Sequence, residues 1–309
     1  MDVEPPTLEG TAAVRDGRQL SFAEYGPPDG RPIVWMHGTP GARRQVPLEA
    51  RAFAAELGVR IIGIDRPGIG SSSPYVYDNV LEWTEDLRLL LDALGVDMFR
   101  LVGLSGGGPY VLAACAAMPE RVLAAAVLGG VAPTRGPDAA PGGLMQLAVK
   151  CAPVLGLMRR PVGFAMTRGI RAVRPLAGPV LDLYAAVQPT GDKNLLARPE
   201  FKAMFIDDLL NGSRTQMSAP LSDLVLFTRD WGFALADVQV PVRWWHGDAD
   251  HIVPFAHGQH CVDRLLDATM TVIDGESHLG GLGIARDVIA SIMEIGADVE
   301  PPGDTSTGS

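Results

Sequence analysis

The amino-acid sequence predicts an α/β fold, with a mostly parallel sheet, helices on both faces of that sheet and one helical insertion. Two observations predict the layered sheet. Short, continuous apolar runs are typical of buried parallel strands, and they alternate with helical patterns along the chain. A third observation predicts the insertion: between about residues 133 and 232 helical patterns continue without a clear strand, and a strand pattern returns only at Val240–Val242.

The strands follow from two kinds of pattern. Gln19–Tyr25 alternates polar and apolar residues, which predicts an antiparallel edge strand in a hairpin. The remaining strand segments are the continuous apolar runs expected of buried parallel strands, namely Ile33–Met36, Val59–Ile64, Arg100–Val102, Ala124–Leu128, Val242–Trp245 and Met270–Ile273.

Helices are predicted between these strands. Asn79, with Glu82 three residues later, resembles a capping box at a helix start, and Gly95 ends the helix that follows. Its apolar stripe consists of Trp83, Leu87, Leu90, Leu91 and Leu94. A second helix follows Ser105, runs to about Met118 and ends at Pro119.

The same patterns predict the domain organisation. Residues 1–132 and 233–298 form the sheet-containing core, and residues 133–232 form a helical cap over the strand ends. Residues 299–309 are rich in proline, glycine, serine and threonine, which predicts a disordered tail.

Charge is spread unevenly along this globular composition. The 309 residues are 47% hydrophobic and 20% charged, and a net charge of −10 argues against wholesale binding of nucleic acid. Between Arg135 and Leu181, however, there are seven basic residues and only one acidic residue, Asp138. The net charge of that segment is therefore +6, and that of the rest of the chain is −16. This basic stretch has two interpretations: a solvated helix face, or an entrance that attracts anionic substrates or contacts a membrane surface peripherally.

Several absences point to a cytoplasmic protein without a metal or cofactor. Cys115, Cys151 and Cys261 have no metal or disulfide spacing, Met1–Pro6 lacks the apolar core of a secretory signal, and no apolar stretch is long enough to span a membrane. The histidines at 251, 257 and 260 lack a carboxylate partner in a metal-binding pattern, so they predict no metal site.

The segment Gly103–Gly107 carries the most specific chemical signal. It lies between an apolar strand and a small-residue helix, with Ser105 at the apex of the turn. A Cβ at either flanking glycine would collide with a neighbouring strand or helix, so the pattern is typical of a nucleophile elbow. The helix N-terminus behind Ser105 favours developing negative charge.

A serine needs a base, and the base needs an orienting carboxylate. His278 lies in a glycine-bearing loop directly after the last strand, which places it at the same sheet edge as Ser105. After the preceding strand, Asp250 is the preferred acid and Asp248 the alternative, with Asp248 expected to cap its own turn. The segment 129–134 after the earlier strand has no carboxylate.

An oxyanion also needs two backbone donors. The amide of Gly106, directly after Ser105, is one candidate. The other is the amide of Thr39, in the loop His37–Gly41, because Pro40 has no N–H to donate. His37 is expected to brace that loop.

These segments resemble the α/β-hydrolase superfamily, in its capped, esterase-like branch. The matching segments are His37–Gly41, Asp65–Ser71, Gly103–Gly107, Gly247–Asp250 and Gly275–His278. The resemblance covers about residues 20 to 295 outside the cap, and it implies an eight-stranded sheet and a Ser-His-Asp triad of Ser105, His278 and Asp250.

The resemblance implies a serine hydrolase that cleaves carboxylic esters, or related acyl bonds, of small to medium apolar substrates without a cofactor. Ser105 excludes the branches with an aspartate nucleophile. Proline iminopeptidases carry glycine at the position of Thr39 and tryptophan at that of Gly106, so peptidase activity is disfavoured but open.

Three other questions stay open. The protein could be a lyase or a cofactor-free perhydrolase on the same triad, it could be a hydrolase-like receptor, and its oligomeric state is not predicted. We also expect the substrate pocket to be apolar and to be lined by apolar residues of the cap, namely Met145, Leu147, Val149, Val154, Leu155, Leu157, Met158, Phe164 and Met166.

Overall fold

A computed structural model of the chain describes residues 3–142 and 144–296, without the side chains of residues 144–147. The tail predicted at residues 299–309 and the side chains of Met145 and Leu147 lie outside the described residues.

An eight-stranded sheet organises the chain, as predicted. Its strands in chain order are β1 (Leu8–Ala13), β2 (Gln19–Tyr25), β3 (Arg31–Met36), β4 (Val59–Ile64), β5 (Phe99–Leu104), β6 (Val122–Leu128), β7 (Val242–Gly247) and β8 (Ala268–Ile273). Their spatial order is β1-β2-β4-β3-β5-β6-β7-β8. β1 and β2 pair antiparallel, β2 also pairs antiparallel with β4, and all later pairs are parallel.

The first two strands differ from the expectation. β2 is antiparallel and belongs to a hairpin as predicted, but it is not an edge strand, because β1 covers its outer side. Six of the seven β2 residues are therefore buried. β1 has no predicted counterpart: most of its residues are not buried, and an exposed edge strand needs no continuous apolar run.

Helices cover both faces of the sheet. The ten helices of the described chain are α1 (Leu48–Glu56), α2 (Trp83–Ala93), α3 (Gly108–Ala117), α4 (Leu144–Ala172), α5 (Ala177–Ala186), α6 (Thr190–Ala197), α7 (Pro199–Gly212), α8 (Ala219–Phe227), α9 (Phe255–Val262) and α10 (Ala285–Glu294). One buried cluster includes Leu87 of α2 and Val111 of α3, and the cluster on the other face includes Ala54 of α1 and Ile289 of α10.

The start of α2 differs in detail from a capping box. Asn79 Oδ1 accepts a 3.0 Å hydrogen bond from the amide of Glu82, as that motif requires. The Glu82 carboxylate, however, accepts from the amide of Asp78 rather than that of Asn79. The motif therefore braces the turn before the helix, and α2 itself begins at Trp83.

Helices α4–α8 all lie in the stretch between β6 and β7, residues 129–241, which we call the inserted segment. The structure thus has its helical run where the sequence predicts one, while the domain boundaries at 133 and 232 stay a prediction. Among the described helices, none is both long and apolar enough to cross a bilayer.

Candidate active site

Ser105 occupies a strained turn between β5 and α3. Its φ of +51° lies in the left-handed region, which only one other non-glycine residue of the described chain adopts. A Cβ on Gly103 would lie 2.6 Å from Val111 Cγ2, and one on Gly107 would collide with the carbonyl oxygen of Met36. The helix and the neighbouring strand therefore both require glycine beside Ser105, as the sequence predicts.

His278 and Asp250 form a buried pair at the carboxyl ends of β8 and β7. The imidazole Nδ1 lies 2.7 Å from Asp250 Oδ2. Asp250 Oδ1 accepts hydrogen bonds from the amides of Ile252 and Val253, at 2.8 and 2.9 Å. These bonds fix the carboxylate. Because Nδ1 of His278 donates its N–H to this carboxylate, Nε2 is the ring nitrogen that is free to take a proton.

His246, for which the sequence predicts no role, also supports this carboxylate. Trp244 Nε1 donates to His246 Nδ1, so the His246 proton is on Nε2, 3.2 Å from Asp250 Oδ2 and 2.9 Å from the carbonyl oxygen of Val253. Burial alone would raise the pKa of Asp250, but the hydrogen bonds from His246 and His278 outweigh it and hold that pKa below its usual value. Asp250 is therefore ionised in the folded protein.

Asp248 has a different place. Its Oδ1 accepts a 2.8 Å hydrogen bond from the amide of Gly275, so it ties the loop after β7 to the loop after β8. The expected cap within its own turn is replaced by this longer-range bond. Of the two aspartates that the sequence offers, the structure brings Asp250 to the imidazole of His278.

Ser105 and His278 both line one cavity of about 340 Å³, within the usual range for small-molecule pockets. The loops after β3, β5, β7 and β8 form one side, and α4–α7 of the inserted segment form the other. The aliphatic and aromatic lining includes Leu104, Ile170, Val173, Val180, Leu181, Leu196, Phe205, Ile206, Leu209, Leu210, Met217 and Ile252.

The lining differs from the expected set of cap residues. None of the described cap residues expected to form a greasy pocket lines it; Val154, Leu157, Met158 and Phe164 point to solvent instead. Among the described lining residues, the acidic ones are Asp192 and Asp208, and there is no lysine or arginine. The basic side chains of the stretch Arg135–Leu181 therefore lie outside the described cavity wall.

The two predicted oxyanion donors lie against each other. A Cβ on Gly106 would collide with Thr39 Oγ1 and lie 3.0 Å from Thr39 Cβ. The loop of Thr39 is held from below by Arg66, which donates to the carbonyl oxygens of His37 and Gly38. Carbonyl and N–H point in opposite directions across a trans peptide, so the N–H of Thr39 points away from Arg66.

A buried carboxylate of the inserted segment completes this support. Asp223 of α8 accepts from Arg66 Nε at 3.0 Å, from the Thr39 hydroxyl at 2.9 Å and from the Tyr110 hydroxyl at 2.8 Å. The roles of Asp223 and Arg66 are not predicted from the sequence. A lone acid in the apolar stretch Ala219–Phe227 is the signal that was available for Asp223.

His37 braces the same loop, as expected. Its Nε2 accepts from the amide of Arg66, so Nδ1 carries the proton and donates to the carbonyl oxygen of Gly38 at 2.7 Å. Complete burial, together with the nearby Arg66 charge, holds the pKa of His37 well below its usual value.

The loop of His278 is also held by the inserted segment. Asp192 Oδ1 accepts a 2.8 Å hydrogen bond from the amide of Leu279.

Elsewhere, His257 and His260 of α9 hydrogen-bond the carbonyl oxygens of Pro141 and Asp138. These two histidines tie α9 to the start of the inserted segment.

Sequence and structure comparisons identify the fold that carries this geometry. The sequence profile of the α/β hydrolase fold matches residues 31–149, which include β3, the Thr39 loop and the Ser105 turn. An esterase from Rhodococcus sp. ECU1013 superimposes with a TM-score of 0.64 at 22% identity, over 93% of this chain and 99% of that one. The chain therefore has the α/β-hydrolase fold.

The proteins of similar sequence differ in their described activities. Proline iminopeptidase from Neisseria gonorrhoeae is 33% identical over 124 residues, which is 39% of this chain and 39% of that protein. The chain thus matches about two fifths of the length of that relative. A non-heme chloroperoxidase from Streptomyces lividans is 25% identical over 274 residues, covering 87% of this chain and 92% of its own.

Proposed function

We propose that this α/β-hydrolase is a serine hydrolase that cleaves carboxylic esters of small to medium, apolar substrates through an acyl-enzyme. One observation supports the proposal above all: Ser105 and His278 line the same apolar cavity, and Asp250 holds the imidazole through its other nitrogen. An apolar lining favours an apolar acyl or alcohol group over a charged one.

In the proposed reaction, Ser105 Oγ attacks the ester carbonyl while Nε2 of His278 takes the hydroxyl proton. The amides of Gly106 and Thr39 stabilise the resulting oxyanion, and Asp250 stabilises the imidazolium. His278 then returns the proton to the leaving alcohol. A water molecule, deprotonated by the same imidazole, attacks the acyl-enzyme and releases the carboxylic acid and the free serine.

The test is a series of p-nitrophenyl esters of increasing acyl length. We expect butyrate and hexanoate to be cleaved faster than acetate, because longer chains fill the apolar cavity.

Ser105→Ala should lower turnover by about 10⁴-fold or more. Ser71→Ala, at an exposed position, is the matched control and should keep the wild-type rate. A fluorophosphonate probe should label the wild type and not Ser105→Ala.

The match to proline iminopeptidases favours a second candidate, removal of an N-terminal proline. Thr39 and Gly106 weigh against it, because they depart from the residues of those peptidases at the proposed oxyanion donors. Prolyl p-nitroanilide distinguishes the two activities: turnover of this amide above that of the butyrate ester would replace the ester proposal.

Product analysis separates the remaining candidates. An esterase forms acid and alcohol in equal amounts, whereas a perhydrolase forms peracid when hydrogen peroxide is added and a lyase forms no acid–alcohol pair. A receptor would bind ligand without labelling of Ser105. The cytoplasmic location and the absence of a cofactor stay predictions.

A further inference from the structure

We propose that the outward surface of α4 and α5 docks on an anionic lipid bilayer and admits lipophilic esters from that bilayer to the cavity. We call this the outer surface; its apolar members are Val154, Leu157, Met158, Phe164, Leu176 and Leu183. The admission step rests on the proposed function, whereas the docking step does not.

Exposed apolar side chains are concentrated in this part of the molecule. Of the fifteen large hydrophobic residues exposed in the described chain, ten lie between Val154 and Val187. Leu157 is 79% exposed, Leu183 72% and Phe164 66%. Scattered apolar residues are normal on a protein surface, but their concentration in two consecutive helices and the turn between them indicates an interaction site.

The two faces of α4 explain how this surface arises. One face packs on the protein: Gly163 lies so close to Ser218 that a Cβ would be 2.8 Å from its Cα, and Thr167 is buried. Val154, Leu157 and Phe164 follow helical spacing on the opposite face. No helix of the described chain covers them, so their apolar area is free to enter another phase.

The charge of the outer surface selects the partner. Lys150, Arg160, Arg168, Arg171 and Arg174 are exposed. The one acidic residue in the sequence of α4 and α5 is Asp182, and it is paired with Lys202. Phospholipid headgroups of negative charge complement this set, and basic residues that surround apolar ones are typical of helices lying in a membrane interface. A second copy docking through the same surface would instead oppose arginine to arginine.

The outer surface is continuous with the cavity. Val173, Val180 and Tyr184 are exposed and also line the cavity. An apolar molecule that leaves the bilayer at this rim therefore meets apolar side chains from the surface inwards. Since no described helix can span a bilayer, the contact is peripheral.

The docking test uses flotation of the full chain with phosphatidylcholine vesicles, with and without phosphatidylglycerol. Ser105→Ala is used throughout, so that binding is measured without turnover. We expect binding to the vesicles that contain phosphatidylglycerol, weakened by added salt. Leu157→Glu and Phe164→Glu should each lower the partition coefficient by about 10-fold or more, because each replaces an apolar side chain that enters the bilayer with a charged one. Leu266→Glu is the matched control, since Leu266 is 68% exposed but lies before β8, away from α4 and α5.

Three results would overturn docking: no flotation with anionic vesicles, equal binding of Leu157→Glu and the control, or a concentration-dependent dimer in light scattering that Leu157→Glu abolishes. Circular dichroism establishes that each variant is folded.

Admission is tested in the serine-containing protein with a long-chain ester carried in the vesicles. Leu157→Glu should slow its hydrolysis about 10-fold and leave hydrolysis of p-nitrophenyl butyrate in solution unchanged, because Leu157 does not line the cavity. Equal rates with the vesicle-borne ester overturn admission and leave docking standing. If the wild type hydrolyses neither the vesicle-borne ester nor p-nitrophenyl butyrate, that result contradicts the proposed function and leaves docking untouched.

Discussion

Asp192 of α6 accepts, at Oδ1, a 2.8 Å hydrogen bond from the amide of Leu279, the residue directly after His278. Close packing reinforces this contact, since a Cβ on Gly191 would lie 2.8 Å from the amide nitrogen of Ser277. The loop of His278 is therefore held at its backbone by the inserted segment and at its imidazole by Asp250. Asp192 is a positioning residue in the proposed reaction.

Removal of this bond should affect turnover more than substrate binding. In Asp192→Ala the loop loses its backbone acceptor, and we expect kcat to fall by about 10-fold with a smaller change in KM, because small displacements of a catalytic group are costly. Asp192→Asn keeps an oxygen acceptor and should retain most of the activity. Steady-state kinetics with p-nitrophenyl butyrate measure both variants.

Asp182→Ala is the control for this experiment, because Asp182 is an exposed acid of α5 paired with Lys202. It should keep wild-type kinetics. Unchanged kcat in Asp192→Ala would contradict the positioning role, and an equal loss in Asp192→Asn would assign the effect to the charge rather than to the hydrogen bond.

The Thr39 hydroxyl should matter although the proposed oxyanion donor is the Thr39 amide. The hydroxyl donates to Asp223 and accepts from Arg66 Nη2 at 2.8 Å, so it orients the peptide that carries this amide. Thr39→Val leaves Asp223 and Arg66 short of a partner in a buried site, and we expect kcat/KM to fall by about 10- to 100-fold. Thr39→Ser should keep activity within a few-fold of wild type. A comparable loss in the serine variant would reject this assignment.

The parts of the fold and site that the sequence predicts are those with local signals. Buried parallel strands such as β4 need apolar side chains on both faces, so they appear as continuous runs, and Ser105 is marked by glycines that its own turn requires. β1 has no such signal, because an edge strand pairs through its backbone and exposes its side chains.

The parts that the sequence does not predict depend on distant contacts. Thr39 and Asp223 are 184 residues apart, and no spacing rule connects them. The apolar pattern of α4 likewise does not say which face packs. Gly163 lets that face approach Ser218, and Thr167 of the same face is buried. Leu157 and Phe164 are therefore exposed on the outward face.

Gly106 and Thr39 should show coupled effects. A Cβ on Gly106 collides with Thr39 Oγ1, so Gly106→Ala displaces both proposed oxyanion donors, and we expect kcat to fall by about 100-fold. Thr39→Gly removes the colliding side chain. The double variant should therefore be more active than the product of the two single losses predicts, which a double-mutant cycle on kcat measures. Additive losses would contradict the direct collision.

His37 should make the stability of the protein fall in mild acid. Its pKa is lowered in the folded state by burial and by Arg66, so the unfolded chain takes up a proton first as the pH drops through about 6.5. The stabilisation is complete above that pH and is lost below it. At pH 5.5 we expect the free energy of unfolding to be lower by about 1.4 kcal/mol on this account.

The comparison with His37→Gln isolates this contribution, because glutamine offers an acceptor and a donor but does not titrate. The wild type alone would not isolate it: burial raises the pKa of Asp208 to about 8, so the folded chain binds that proton first and Asp208 adds stability as the pH falls. Both proteins contain Asp208, and its effect cancels in their difference. Urea unfolding at pH 8 and pH 5.5 should therefore show the wild type losing about 1.4 kcal/mol more than His37→Gln. Equal losses would mean that His37 takes up its proton in the folded state as readily as in the unfolded one, which the acceptor role of its Nε2 toward the amide of Arg66 opposes.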